Sequence, residues 1–136
     1  MKAFSLDELF GKAKEARKLS YSPYSGYSVG AALMCSNGKI YTGCNIENSA
    51  FSPTVCAERV AFFKAISDGE KDFSVIAVAG GKQDCETCTP CGVCRQVMME
   101  FCNPEEFLIV YKDNDGLKKA KLKDFFPSGF GPGNIR

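Results

Sequence analysis

Residues 84–96 read DCETCTPCGVCRQ, so that Cys85, Cys88, Cys91 and Cys94 fall at every third position. How these four thiols are used decides the fold. If all four close on one ion, the chain is a module stapled by a structural or redox site. If only some do, the ligand set is completed from another part of the chain, and the metal keeps an open position for chemistry.

The closed reading meets two objections. A Cys-x2-Cys-x2-Cys run resembles the start of a bacterial iron–sulfur motif, but there the next cysteine follows after three residues and a proline comes behind it. Here the last gap is two residues, and Pro90 precedes Cys91. A four-thiol zinc knot has better spacing. However, Pro90 opens a predicted helix, which puts Cys91 and Cys94 one turn apart on one face. Cys85 and Cys88 lie in the loop before it, and nothing obliges them to swing in. A second segment, FSPTVCAER at 51–59, supplies another thiol, Cys56, again in the first turn of a helix predicted to open at a proline. Two such helix N-termini can converge on one ion, and their dipoles favour ionised thiols. Cys56, Cys91 and Cys94 then make three ligands. Glu58, two residues past Cys56, is the carboxylate that a hydrolytic zinc site needs and a structural one does not.

Composition narrows the classes. A chain of 136 residues can bury one core, and a single domain over 1–136 is expected. Lys plus Arg total 17 against 16 for Asp plus Glu, so no strong field draws the chain to nucleic acid or an anionic membrane, and neither is expected as a partner. The first twenty residues are amphipathic rather than continuously apolar, which fits neither a signal peptide nor a membrane span. A cytoplasmic setting is expected, where eight cysteines serve as ligands or buried thiols rather than disulfides. The chain has no histidine. That removes Ser-His-Asp and Cys-His sites, HExxH hydrolases and two-histidine zinc fingers in one step. Any proton shuttle must be a carboxylate, Lys, Tyr or Cys, and any transition-metal site must rest on thiolates.

Along the chain, Ser5 and Glu8 have capping-box spacing, and Leu6, Leu9, Phe10, Ala13, Ala16 and Leu19 recur at helical intervals, predicting a helix over about 5–19. YSVGAALMC, the turn SNG and KIYTGCNIE read as a hairpin. TVCAERVAFFKAISDG reads as a helix opened by Ser52-Pro53 and stopped by a glycine, and FSVIAVAGG as a strand buried on both faces. PCGVCRQVMMEFC begins a third helix, and FLIVYK and KKAKL flank a DNDG turn. The order α-β-β-α-β-α-β-β predicts an α/β fold with a sheet of about five strands covered by helices on both faces. The tail DFFPSGFGPGNIR is rich in Pro and Gly yet carries three phenylalanines, which is unusual for a disordered end.

CAE followed by PCGVC resembles the zinc deaminase signature, in the variant with three cysteine ligands and a glutamate that is not a ligand. SPYSGYSVGAAL, TGCNIENSAF, TVCAERVAFFKAISDG, PCGVCRQVMMEF and the FFPSGF tail extend the likeness over most of the chain. Together they resemble the small cytidine deaminase family. The resemblance implies a three-layer α/β/α sandwich with a mixed sheet, one Zn²⁺ per subunit, and hydrolytic deamination of cytidine and deoxycytidine in pyrimidine salvage. It further implies a homotetramer with sites near subunit interfaces. Glu58 would be the catalytic acid–base, with Cys56, Cys91 and Cys94 as metal ligands. Arg59 would donate hydrogen bonds to thiolate sulfur, offsetting the negative charge of three thiolates on Zn²⁺. Asn45 and Glu47 would bind the ribose 3′-hydroxyl from one face of a strand, Tyr27 would stack on the pyrimidine, and Ala57 would contact it. Phe130 would cross into a neighbouring subunit's site.

Three departures stand out. Tyr27 occupies a position where the family usually has phenylalanine, and Phe125 and Phe126 replace leucines. The Cys85–Cys88 pair has no usual counterpart; both read as incidental free thiols, while Cys35, Cys44 and Cys102 read as small buried hydrophobes. The sequence is also compatible with two rival functions. One is a deaminase of a cytosine-nucleoside antibiotic, which NIEN argues against; the other is a non-enzymatic zinc-stapled module built on the clustered cysteines.

Overall fold

The computed structural model describes residues 3–135. Helix α1, Leu6–Ala16, is capped by Ser5, whose Oγ accepts from the Glu8 N–H at 3.3 Å. A tight 3-10 turn, Arg17–Leu19, follows. Strands β1 (Ser28–Cys35) and β2 (Ile40–Cys44) form the expected hairpin, and α2 spans Ala57–Ser67. Strand β3 (Phe73–Gly81), helix α3 (Gly92–Phe101) and strands β4 (Leu108–Asp113) and β5 (Gly116–Lys121) complete the order. The tail contributes a short helix α4, Leu122–Phe125, and a 3-10 turn at Pro132–Asn134.

The strands form one mixed sheet in the order β2-β1-β3-β4-β5. Only β3 and β4 are parallel, as their connection through α3 requires. Alternation along each strand splits the core in two. Ala32 and Met34 of β1, with Val75 and Ala77 of β3, meet Leu9, Phe10 and Ala13 of α1. Leu33, Ile76 and Val78 point the other way, to Phe62 of α2 and Met98 of α3. This is why FSVIAVAGG is apolar throughout: both of its faces are covered. Each fully buried aliphatic side chain contributes about 1.5–3 kcal/mol relative to exposure.

Several boundaries differ from expectation for local reasons. The first helix tightens after Ala16, which leaves Leu19 80% exposed instead of on the buried face. Strand β2 stops at Cys44, so Asn45 and Glu47 lie beyond it rather than on it. Helix α2 starts at Ala57 rather than near Pro53, because Val55 is held extended by a two-way backbone pairing with Ile46 (both N···O 3.0 Å). Among the described residues no helix is long and apolar enough to cross a membrane.

Two glycines set how closely the helices lie on the sheet. A Cβ at Gly30 would stand 2.0 Å from the Ala13 carbonyl oxygen of α1, and one at Gly43 would stand 2.4 Å from the Ala57 carbonyl oxygen at the start of α2. Both obstacles are helix backbone and cannot swing aside. Gly43→Ala is therefore expected to cost about 1–3 kcal/mol in denaturant unfolding. Gly11→Ala, placed where nothing lies within 4 Å of the new methyl, is expected to raise stability by about 0.5–1 kcal/mol.

Candidate active site and metal centre

The starts of α2 and α3 face one another on the same side of the sheet. Cys56 and Cys91 are the N-cap residues of these helices, each with extended backbone. Both had been expected inside the first turn; the shift to the cap follows from the late start of α2 and from Pro90 lying outside α3. Neither side chain caps its own helix, so both thiols are left to point elsewhere. They point at each other. Cys56 Sγ lies 3.6 Å from Cys91 Sγ, which lies 3.5 Å from Cys94 Sγ, and all three lie within 4.8 Å of one another. Tetrahedral zinc with Zn–S bonds of about 2.3 Å separates its thiolates by roughly 3.8 Å, so the donor set fits that ion.

The electrostatics fit as well. A hydrogen bond with the Cys94 thiol brings Cys56 down to about 5 against the opposing effect of burial, with Arg59 and Cys91 adding to the shift. That same contact, together with burial, pushes Cys94 upward. Of this pair, Cys56 is the thiol whose surroundings favour the thiolate and Cys94 the one whose surroundings favour the thiol. Arg59 Nη2 donates to Cys56 Sγ at 3.3 Å, while its buried Nε has no partner among the described residues. The half-buried guanidinium is thus aimed at sulfur, which would supply negative charge when ionised.

Glu58, in the first turn of α2, is only 3% exposed. Burial pushes its carboxyl up to about 7, with the charge on Cys56 adding to the shift. A carboxyl poised near neutrality beside a three-thiol cluster can both take and give a proton.

The remaining candidates form the surroundings. Tyr27 and Cys88 pack together over Gly80, where a Cβ would stand 2.6 Å from Cys88 Sγ and 3.1 Å from the Tyr27 ring. Burial raises Tyr27 to about 12, with Cys88 beside it adding to the shift. Cys88 is raised to about 11, by burial first and then by the nearby Glu58 charge. Asn45 is half-buried; its Oδ1 accepts from Val29 N at 2.9 Å and from Ser20 Oγ, and its Nδ2 donates to the Tyr27 carbonyl at 2.8 Å. Glu47 Oε1 accepts from Tyr24 N (2.8 Å) and Ser25 N (3.2 Å), while Oε2 accepts from Ser25 Oγ. Both side chains therefore tie down the loop that presents Tyr27. A hollow of about 370 Å³ lies between Tyr24, Ser25, Glu47, Phe51 and Thr54. Ala57 is fully buried, and Phe130 is 56% exposed with its carbonyl accepting from Gln96 Nε2.

Cys85 and Cys88 part company. Cys85 Sγ accepts from Arg17 Nη1 at 3.4 Å and packs on the α1 side of the sheet, whereas Cys88 packs on the α2 and α3 side. Neither joins the three-thiol group. Sequence reasoning missed Ser20, Ser25 and Gly80. Two serines in a turn-rich stretch carry no distinguishing pattern, and Gly80 matters only because a loop residue eight positions later lies over it.

Replacing Cys56, Cys91 or Cys94 by serine, one at a time, is expected to abolish stoichiometric zinc in metal analysis of the purified protein. The double variant Cys85→Ser/Cys88→Ser should keep about one zinc per chain. Loss of metal from the double variant would return the ligand set to the 85–94 run.

Comparison with known proteins agrees with this geometry. Residues 5–110 match the family described as the cytidine and deoxycytidylate deaminase zinc-binding region. The cytidine deaminase of Sporosarcina psychrophila is 53% identical over 125 residues, covering 92% of this chain and 90% of that protein. A probable cytidine deaminase of Dictyostelium discoideum is 45% identical over 118 residues, covering 87% and 79%. Among solved structures, cytidine deaminase from Burkholderia pseudomallei superposes with a TM-score of 0.85 at 37% identity, covering 93% of this chain and all of that one (100%). With three thiols at ligand spacing, a buried glutamate beside them and this fold around both, the chain belongs to the zinc-binding cytidine and deoxycytidylate deaminase family.

Proposed function

We propose that this protein hydrolyses the exocyclic C4–N bond of cytidine and deoxycytidine, releasing ammonia and the corresponding uridine. The observation that carries this reading is the buried Glu58 carboxyl next to a three-thiol cluster that no fourth ligand joins among the described residues. A four-thiol structural site would have neither feature. Zinc held by Cys56, Cys91 and Cys94 would supply Lewis-acid activation of water at neutral pH. Glu58 takes a proton from the attacking water and delivers it to ring N3 as the oxygen adds to C4. It then carries the second proton to the departing amine, so that the C4–N bond breaks with neutral ammonia leaving. A carboxyl near 7 is matched to this two-way traffic. Arg59 offsets the negative charge gathered on sulfur, and Tyr27 offers a ring face to the pyrimidine.

Hydrogen-bond capacity supports the ribose assignment. Both acceptor sites of Asn45 Oδ1 are taken and one Nδ2 hydrogen is used, which leaves a single donor. Glu47 has three of roughly four acceptor sites filled, which leaves one. One donor and one acceptor are what a hydroxyl group takes. A plain sugar hydroxyl therefore suits the pair, and the antibiotic-deaminase alternative has no feature in its favour.

The same reading includes a single domain over the chain, a homotetramer with sites near its interfaces, and a cytoplasmic setting that keeps the cysteines reduced. Support for self-association comes from the tail. Gln96 anchors the backbone of Phe130 at 2.8 Å while the ring remains exposed, free to enter a neighbour.

Purified zinc-loaded protein should convert cytidine to uridine with one ammonia per turnover. Glu58→Gln should retain zinc and lose at least about 10²–10⁴-fold in kcat. An inert, zinc-loaded wild type would overturn the substrate assignment. Arg59→Gln should lower turnover about 10- to 100-fold with zinc still bound, and unchanged kinetics would remove its role.

A further inference from the structure

We propose that Arg95 is a positioning residue that braces the turn presenting Cys91 and thereby sets how firmly the three thiols hold their ion. The proposal rests on the three-thiol metal reading above. Among the ligands, Cys94 is buried within α3 and Cys56 follows the Ile46–Val55 backbone pairing, but Cys91 is exposed. It has the least packing to fix it, so its place depends on the residue before it. Pro90 is fully buried, and its ring fixes φ. Once φ is set, the orientation of the Pro90 carbonyl determines the planar peptide leading into Cys91.

Arg95 controls that carbonyl. Its side chain folds back along its own helix, and Nε donates to the Pro90 carbonyl at 2.7 Å. The other arm of the fork, Nη1, donates to the Phe125 carbonyl at 2.8 Å, and the guanidinium lies 5.3 Å over the Phe125 ring. That ring meets Tyr111 of β4 edge-on at 5.4 Å between centroids. One planar cation thus connects the ligand turn to α4 and, through it, to the sheet. Such a cation near the start of α3 opposes the helix dipole, so helix stability alone does not account for it. A guanidinium can hold two carbonyls at fixed angles, whereas an ammonium on a flexible stem cannot reproduce that fork.

The test uses zinc-loaded wild type, Arg95→Lys and Arg95→Met, each measured for zinc content, zinc release to a chromogenic chelator, thermal stability, kcat and KM for cytidine. Both variants should hold stoichiometric zinc but release it about tenfold or more faster, with kcat lower and KM within about twofold, and lysine should not restore the wild-type release rate. If Arg95→Met does not fold, Arg95→Lys alone carries the comparison. Release rates and kcat within about twofold of wild type in Arg95→Lys would overturn the proposal, as would losses that follow thermal stability with KM rising alongside. A wild type that binds no zinc would instead defeat the three-thiol reading, and this inference with it. Zinc-loaded wild type inert on cytidine would leave the release measurement decisive.

Discussion

The start of α2 rests directly on the backbone of β2, and the site depends on that contact. Only a glycine fits at position 43, because the Ala57 carbonyl occupies the space a side chain would need. Ala57 and Ala61 continue the close approach with side chains small enough to vanish into the interface. Cys56, Glu58 and Arg59 all ride on this one turn of helix. Its height above the sheet decides whether Cys56 meets the thiols of α3 or passes them by. Glycine and alanine are costly choices for a sheet and a helix surface in hydrophobic terms, since they bury little area. Here they set a distance instead.

On that platform the protein gathers groups that repel one another when ionised: three thiols, and a carboxyl sealed from water. Contact with Cys56 and burial favour the protonated form of Cys94, and burial favours that of Glu58. Cys56 is the thiol prepared to ionise, because the Cys94 thiol and the Arg59 guanidinium both donate to it. Burial holds the Glu58 proton in the range where it can be exchanged. A zinc site assembled from thiolates alone would carry excess negative charge and be a poor electrophile, and under the proposed function Arg59, which donates to Cys56 Sγ, would offset part of it.

Much of this was legible in one dimension. The absence of histidine forced thiolates on any transition-metal site, and Cys56, Cys91 and Cys94 with Glu58 could be picked out from two short segments. The helical repeat located α1, the SNG turn and the apolar run FSVIAVAGG located β1 and β3, and Pro90 located α3, each within a few residues. Boundaries were less legible. The start of α2 is set by the Ile46–Val55 pairing, a contact between segments whose residues show no strand period. Leu19 fits the helical repeat of the first helix yet lies exposed, since a tighter turn moves it off that face.

By itself the sequence determined the donor chemistry, the order of elements and the separation of Cys91 and Cys94 by one turn, because these depend on residue type and local spacing. Only the tertiary structure decided where the other two thiols of the 85–94 run come to rest. Cys88 is as close to Cys91 in the chain as Cys94 is, and Cys85 is far closer to it than Cys56, yet Cys85 turns to Arg17 on one side of the sheet and Cys88 to Tyr27 on the other. The same holds for Asn45 and Glu47, which lie past the end of β2 and fasten the Tyr27 loop. It holds too for Arg95, whose partners at Pro90 and Phe125 are separated in the chain by the whole of α3, β4 and β5. Spacing along a chain constrains a turn of helix. It does not say on which face of a sheet a loop side chain will come to rest, because that is settled by the space the packed layers leave.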